Sequence, residues 1–459
     1  MGRSTLLVKN GTRQKEGTVF LALSEWELAN LHLRAATTVT FYAGAAPIEF
    51  LRHRLALILG KNPWLAGRLV KATTADGVVT LAYNDSSEAL PPVDDHFSAH
   101  EAEEVILSLS MSYEELVQSL LPIGCADSKL AIDADEPLFK VAVVPVEAGD
   151  DTSVTQMQSR VRLPGFALVV SMNHTVGDGH TFYSLYGMLG ADAPVEALDP
   201  MRVSDFEKEK IEVVGEAESA LLSSAGFGLG IVGSYLLSKL TRLEPQNVCV
   251  HTVDPAWIAR EKAKARDEAR VPFVSSNDAL TSWFFREMKC DINLILANLR
   301  SREPSVAGLT EEHAGNYEAN VPYFPGDVET PALIRQSLLG PDGGFRARRA
   351  GSPETRPPGF LTSLRNRAAI ITNWAGFARD VTLGADTGQE GAQPQQPQLH
   401  LPVMRSEGML TSIWNTGVVF RPHAGELAML MITRRFDNDI LAHRKKDHGP
   451  SVPMGQRLI

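Results

Sequence analysis

Apolar positions along this chain follow two periods, and the changes from one period to the other mark its elements. Ile48, Leu51, Leu55, Ile58 and Leu59 recur at helical spacing, and Asn62-Pro63 ends that run. Arg68-Leu69-Val70-Lys71 and Val78-Val79-Thr80-Leu81 flank an Asp76-Gly77 turn, which is the pattern of a hairpin. Leu138 to Val146 is a β-branched apolar run between Pro137 and Glu147 and predicts a strand. Phe166 to Met172 (FALVVSM) is the most strand-like run of all, and Phe182, Leu185, Tyr186 and Leu189 return to helical spacing after it. A buried strand therefore leads into His174, a helix leaves it, and Asp178 lies on the same connection. Gly177 and Gly179 tolerate positive φ, so the reading places a tight turn there.

Further on, charged residues dominate Asp205 to Glu218, and Ser219 to Ser238 carries no charge. About 20 apolar residues are needed to span a bilayer. Gly226 and Gly230 have the small-xxx-small spacing of membrane helices. Five serines and four glycines nevertheless leave the segment only mildly apolar. It reads as a packed or amphipathic crossover helix, with membrane attachment as the alternative. Ser275-Ser276-Asn277-Asp278 opens a helix that carries Leu280, Trp283, Phe284 and Met288 on one face. Ile292 to Ala297 fits a buried strand or a helix end. The turn-rich stretches from Gly340 to Gly359 and from Gln389 to Gln398 read as surface excursions.

Composition narrows the function classes. At 459 residues the chain has room for two domains with sizeable cores, and 44% hydrophobic with 22% charged residues is ordinary for a globular protein. The net charge of −11 repels a polyanion on average. The compact basic clusters, Arg346-Ala347-Arg348-Arg349 and Arg444-Lys445-Lys446, lack interleaved aromatics, so nucleic acid is not an expected partner. Cys125, Cys249 and Cys290 form no CxxC pair and no even-numbered framework, which fits a reducing compartment and argues against a zinc site. Met1 to Leu6 shows neither a signal-peptide run nor a myristoylation pattern. A cytoplasmic protein is expected.

The candidate chemistry centres on Asn173-His174-Thr175-Val176-Gly177-Asp178-Gly179. An imidazole, with an ordinary pKa near 6.5, can accept a proton at neutral pH. His174 could take the proton from an acceptor hydroxyl or amine as it attacks a thioester, and then return it to the leaving thiolate. The bland alternative is a turn histidine, with Asp178 capping the next helix. Asp178 could also orient the imidazole or pair with an arginine, and the sequence leaves these open. No GxSxG, HExxH or Walker A lysine motif is present. A GxGxxG at Gly228, Gly230 and Gly233 follows a helix-like run, Glu216 to Ser224, rather than the strand a dinucleotide site requires, although Asp254 lies at a suitable distance.

Several segments, in order along the chain, resemble the BAHD acyltransferases of the chloramphenicol acetyltransferase-like superfamily, which also includes peptide-synthetase condensation domains. Asn62-Pro63-Trp64-Leu65-Ala66-Gly67-Arg68-Leu69 is similar to that family's "fP.lAGRL" segment, and Ser171 to Gly179 resembles its HxxxDG motif. Ser275, Asp278, Leu280 and Trp283 resemble "S..D.L.A..W". Asn298-Leu299-Arg300 with Gly315-Asn316 resembles "D.R…GN", and Thr372-Asn373-Trp374 resembles a "TSW" element. The resemblance implies two similar α/β domains, each a mixed β-sheet with helices, and a tunnel between them. It places the first domain at 1–204, a crossover at 205–245 and the second domain at 246–459. It gives His174 the role of general base, Arg300 that of structural partner of Asp178, and Thr372, Trp374 and Gly179 places near the tunnel and the oxyanion. One motif is missing: Asp380-Val381-Thr382-Leu383-Gly384 stands roughly where the family has DFGWG.

The expected activity is therefore transfer of an acyl group from acyl-coenzyme A to a hydroxyl or amine of a small-molecule acceptor. Acyl-coenzyme A is a co-substrate, with no bound cofactor or metal, and a monomer is expected. The alternatives are a non-catalytic relative that binds a small ligand, and a membrane-associated acyltransferase making hydrophobic esters.

Overall fold

The computed structural model describes residues 17–72, 77–85, 92–147, 165–225, 227–230, 232–233, 236, 247–268, 271–302, 306, 308–339, 368–386, 393–405, 414–433 and 453–459. Both basic clusters and the 340–359 excursion fall outside these residues. The chain forms two compact units. The first comprises 1–202, 312–316 and 377–404, and the second comprises 203–311, 317–376 and 405–459.

In the first unit, the run leading to His174 forms the strand Gly165–Met172, buried at seven of its eight residues. A strand covered on both faces needs no polar alternation, which explains its unbroken apolar sequence. It is the central strand of a five-stranded sheet ordered Leu399–Pro402, Ala36–Ala43, Gly165–Met172, Phe139–Val146 and Phe97–Ala99. Both of its neighbours are antiparallel to it, whereas the Phe97–Ala99 edge runs parallel to Phe139–Val146, so the sheet is mixed. The helix Ile48–Lys61 buries Leu51, Leu55, Ile58 and Leu59, and its run of apolar positions stops at Asn62 as the spacing predicts. The hairpin forms as Arg68–Lys71 paired antiparallel with Val79–Asn84, and Thr18–Ala22 joins Val79–Asn84 on its other side.

The second unit carries a seven-stranded mixed sheet. Its order is Glu318–Tyr323, Ile292–Asn298, Ala368–Asn373, Trp414–Phe420, Ala428–Thr433, Asn247–Val253 and Met454–Arg457. Ala368–Asn373 runs parallel to both of its neighbours, and the other pairs are antiparallel. The ambiguous run after Cys290 is thus a strand, Ile292–Asn298. The helix Ser276–Met288 starts at Ser275, whose hydroxyl accepts from Asp278 N while the Asp278 carboxylate accepts from Ser275 N, a reciprocal capping box.

The uncharged stretch belongs to this second unit. Glu216–Leu222 is helical, and Phe227 is buried against Ile292, Leu294, Ala368 and Trp414. Leu229, Val232 and Leu236 are exposed. Among the described residues no helix is long and apolar enough to cross a membrane.

Candidate functional site

The connection after Gly165–Met172 is fixed residue by residue. Asn173 is fully buried; its side chain donates to Ala126 O at 3.1 Å and accepts from Ser128 Oγ at 2.8 Å and from Thr175 N at 3.0 Å. Thr175 Oγ1 donates to Ser128 Oγ at 2.7 Å. His174 thus leaves the sheet from an anchored residue and enters a turn that is tied down on its far side as well.

Asp178 is 2% exposed and is the N-cap of the helix Gly179–Gly187. Thr181 N donates to its Oδ1 at 3.0 Å, so the capping role weighed above is real. Gly179 opens this helix, where first-turn N–H groups lack carbonyl partners within the helix. Asp178 N donates to Gly315 O at 3.1 Å, and Gly315 N donates to Thr181 Oγ1 at 3.2 Å. The tight turn forms, at residues 174–176, but without a left-handed glycine at 177 or 179. Neither Gly177 nor Gly179 has a positive φ, whereas Gly315 does, at 137°. Gly177 is required for space instead, since a Cβ there would meet the Thr181 side chain at 2.7 Å and Met172 Cε at 3.0 Å.

The His174 ring is half-buried, with the Trp26 ring centroid 6.1 Å away at 42°. Its Nδ1 is sealed from solvent, with no partner in full hydrogen-bond geometry among the described residues. Burial holds the pKa below 6.5; the residue's own carbonyl, the Asp178 charge, the Asn316 side chain and the Glu27 charge oppose that shift without reversing it. The imidazole is therefore neutral at pH 7, as a general base requires. The residue's own carbonyl and the Asn316 side chain favour the protonated ring, as hydrogen-bond acceptors beside it do.

Two residues outside the motif complete this surrounding. Asn316 Nδ2 donates to His174 O at 3.0 Å and to Glu27 Oε1 at 3.1 Å. Glu27 is 1% exposed; its Oε2 accepts from Arg202 Nε at 2.9 Å and from Ser24 N at 2.9 Å. Asn316 enters the sequence reading only through a family resemblance, and Glu27 does not enter it at all. A Ser24-x-x-Glu27 capping-box pattern is visible in the chain, but it signals a helix start and carries no hint of a histidine 147 positions away.

His174, Asp178 and Gly179 lie in the first unit, and Arg300, Thr372 and Trp374 in the second. Arg300 is buried just past the strand Ile292–Asn298. Its Nη1 donates to Asn298 Oδ1 at 3.0 Å, and its guanidinium lies 5.0 Å from the Tyr317 ring centroid. Thr372 is half-buried at the end of Ala368–Asn373, and Trp374 N donates to Val419 O at 2.8 Å. The stretch standing in place of DFGWG belongs to the first unit. Tyr42 Oη donates to Val381 O at 2.8 Å, and a Cβ on Gly384 would meet the Phe50 ring at 2.7 Å. Gly228 and Gly230 lie within helix, so the GxGxxG has no strand before it and is not a dinucleotide loop.

No known family model matches the chain, and no curated protein matches it in sequence. Solved structures do match in fold. TRI101 of F. graminearum, crystallised with coenzyme A and deoxynivalenol, aligns over 96% of this chain and 100% of its own, with TM-score 0.61 and 12% identity. TRI101 of F. sporotrichioides, crystallised with coenzyme A and T-2, aligns over the same shares with TM-score 0.57 and 12% identity. The first condensation domain of the calcium-dependent antibiotic synthetase, with a substrate analogue, covers 96% of this chain and 98% of its own, with TM-score 0.51 and 13% identity. The chain accordingly shares the mixed α/β fold of these solved structures over nearly its whole length.

Proposed function

We propose that this chain is an acyltransferase that moves an acyl group from an acyl-coenzyme A thioester to a hydroxyl or amine of a small-molecule acceptor, with His174 as general base. The observation that carries the reading is the state of His174. It is a half-buried imidazole kept neutral by burial, on a strand-to-helix connection whose backbone is clamped on both sides. A fold shared with proteins crystallised with coenzyme A and deoxynivalenol or T-2 supports the donor and acceptor classes.

In this reading Nε2 of His174 takes the proton from the acceptor as its oxygen or nitrogen bonds to the thioester carbonyl carbon. The carbonyl oxygen becomes an oxyanion, the C–S bond then breaks, and the imidazolium returns its proton to the departing thiolate. The products are the ester or amide and free coenzyme A thiol. Proton transfer by a placed histidine supplies about 10²–10⁴-fold; the remainder falls to positioning and oxyanion stabilisation. Asp178 shapes the turn through its cap. Arg300, Thr372, Trp374 and Gly179 keep, in this proposal, the roles the resemblance gives them.

The test is thiol release from acetyl-coenzyme A across a panel of hydroxylated and amino acceptors. His174→Ala is expected to lower turnover by at least about 10²-fold, with an unchanged circular dichroism spectrum. Because burial lowers the His174 pKa, the rate should rise with pH along a limb centred below 6.5 and be flat through neutrality. Full turnover in folded His174→Ala sinks the proposal. No thiol release with any acceptor, together with ligand binding indifferent to His174, favours a non-catalytic binding protein.

A further inference from the structure

Glu27 is a buried carboxylate that nothing in the proposed reaction uses. Its two oxygens accept from three groups: Oε1 from the Asn316 amide at 3.1 Å, and Oε2 from Arg202 Nε and Ser24 N at 2.9 Å each. Arg202 is itself held, with its Nη1 donating to Pro200 O at 2.6 Å and to Ala314 O at 3.2 Å. A buried carboxylate so paired has little freedom to move.

That rigidity passes to Asn316. Its two Nδ2 neighbours, a carboxylate oxygen and the His174 carbonyl, can only accept, so the NH₂ end must face them and the amide cannot flip. Its Oδ1 is thereby turned the other way, buried and with no partner in full hydrogen-bond geometry among the described residues. His174 Nδ1 is in the same condition. One is an acceptor and the other a donor in the neutral tautomer that frees Nε2, and the Asn316 side chain stabilises the protonated imidazole as an acceptor beside it would.

On the reading of His174 as general base, we propose that Glu27 and Asn316 are its positioning residues. Glu27, locked by Arg202, sets the Asn316 amide, which clamps the His174 carbonyl and, through Oδ1, holds the hydrogen on Nδ1. The arrangement gives His174 an orienting partner distinct from Asp178, which spends its Oδ1 on the helix cap. It follows the logic by which a third group fixes a catalytic base's tautomer and ring orientation.

The experiment uses the full chain labelled with [13Cε1, 15N]histidine, with the His174 signals assigned by their loss in His174→Ala. Wild type should show a protonated Nδ1, and Glu27→Gln and Asn316→Ala should each mix the tautomers and lower the His174 pKa. Asn316→Ala leaves the Glu27–Arg202 pair intact, so it carries the test if Glu27→Gln does not fold. In thiol-release kinetics from acetyl-coenzyme A, both variants should lose about 10²-fold in kcat at little-changed KM, the size expected for misplacing a reacting group by about 1 Å. Neither should lower the residual rate further in a His174→Ala background. Folded variants with wild-type tautomer, titration and kcat overturn the proposal, as does an equal loss in the His174→Ala background. A wild-type protein that releases no thiol overturns the acyl-transfer reading alone, because the tautomer and titration measurements do not depend on turnover.

Discussion

At the scale of single residues, the turn between Met172 and Gly179 is governed by space and by hydrogen bonds more than by backbone strain. Gly177 faces Thr181, and Thr181 Oγ1 accepts from Gly315 N while lying 3.2 Å from both Asp178 Oδ1 and Gly315 O. Any side chain at 177 must push aside the Thr181 Cγ2 and Cβ, which carry that hydroxyl, and crowds the Met172 methyl. Gly177→Ala is expected to cost about 1–3 kcal/mol, the usual range for overpacking a tight site, measured by urea unfolding. A stability equal to wild type would show that the loop yields freely. The motif was legible in the sequence as a histidine and an aspartate between a strand and a helix. The reason for its glycine was not, because the contacts of an absent Cβ exist only once Thr181 has been brought back over the turn.

At the scale of elements, the edge strand Leu399–Pro402 illustrates how a distant segment is held. It pairs antiparallel with Ala36–Ala43 across more than 350 residues of sequence, with Leu399 opposite Phe41. Tyr113 secures its end: Oη donates to Pro402 O at 2.8 Å and accepts from Met404 N at 2.9 Å. Tyr113→Phe leaves both backbone groups without that partner, which should cost about 1–3 kcal/mol. Amide exchange at Leu401 and Met404 should accelerate with it; protection as in wild type would mean that the strand is anchored elsewhere. No local pattern announced this strand. A four-residue run after a Gln- and Pro-rich stretch has too little periodicity to register, and its hydrogen-bond partners are supplied by the other end of the chain.

At the scale of the whole molecule, buried histidines make stability depend on pH. His400 sits in the first unit's core between Thr40 Oγ1, 2.8 Å from Nδ1, and Tyr183 Oη, 3.0 Å from Nε2. Burial lowers its pKa from 6.5 to about 4. The unfolded chain thus binds more protons than the folded one between these values, so the His400 contribution is complete above pH 6.5 and is lost as pH falls towards 4. It amounts to about 3 kcal/mol at 1.36 kcal/mol per pKa unit. Burial lowers His32, His96 and His174 as well, and all act in the same direction. Urea unfolding at a series of pH values should show the loss, and His400→Gln should flatten it; identical pH slopes for the two proteins would refute the assignment.

The sequence by itself determined what depends on near neighbours. The buried strand before His174, the helix after it, the hairpin at 68–84 and the capped helix at Ser275 all follow from the period of apolar side chains and from caps within four residues. The HxxxDG spacing and its ordered companion segments were legible for the same reason, since a motif is local by construction. Only the tertiary structure decided which partners those elements meet. It brought 312–316 and 377–404 into the first unit, put a strand from residue 399 on the edge of the sheet that carries His174, and set Glu27 and Asn316 behind the histidine carbonyl. Each of these joins groups more than a hundred residues apart, and they are stable only when burial removes the competing water. Periodicity cannot report a contact whose energy exists only in the folded interior, and the surroundings of His174 are made of such contacts.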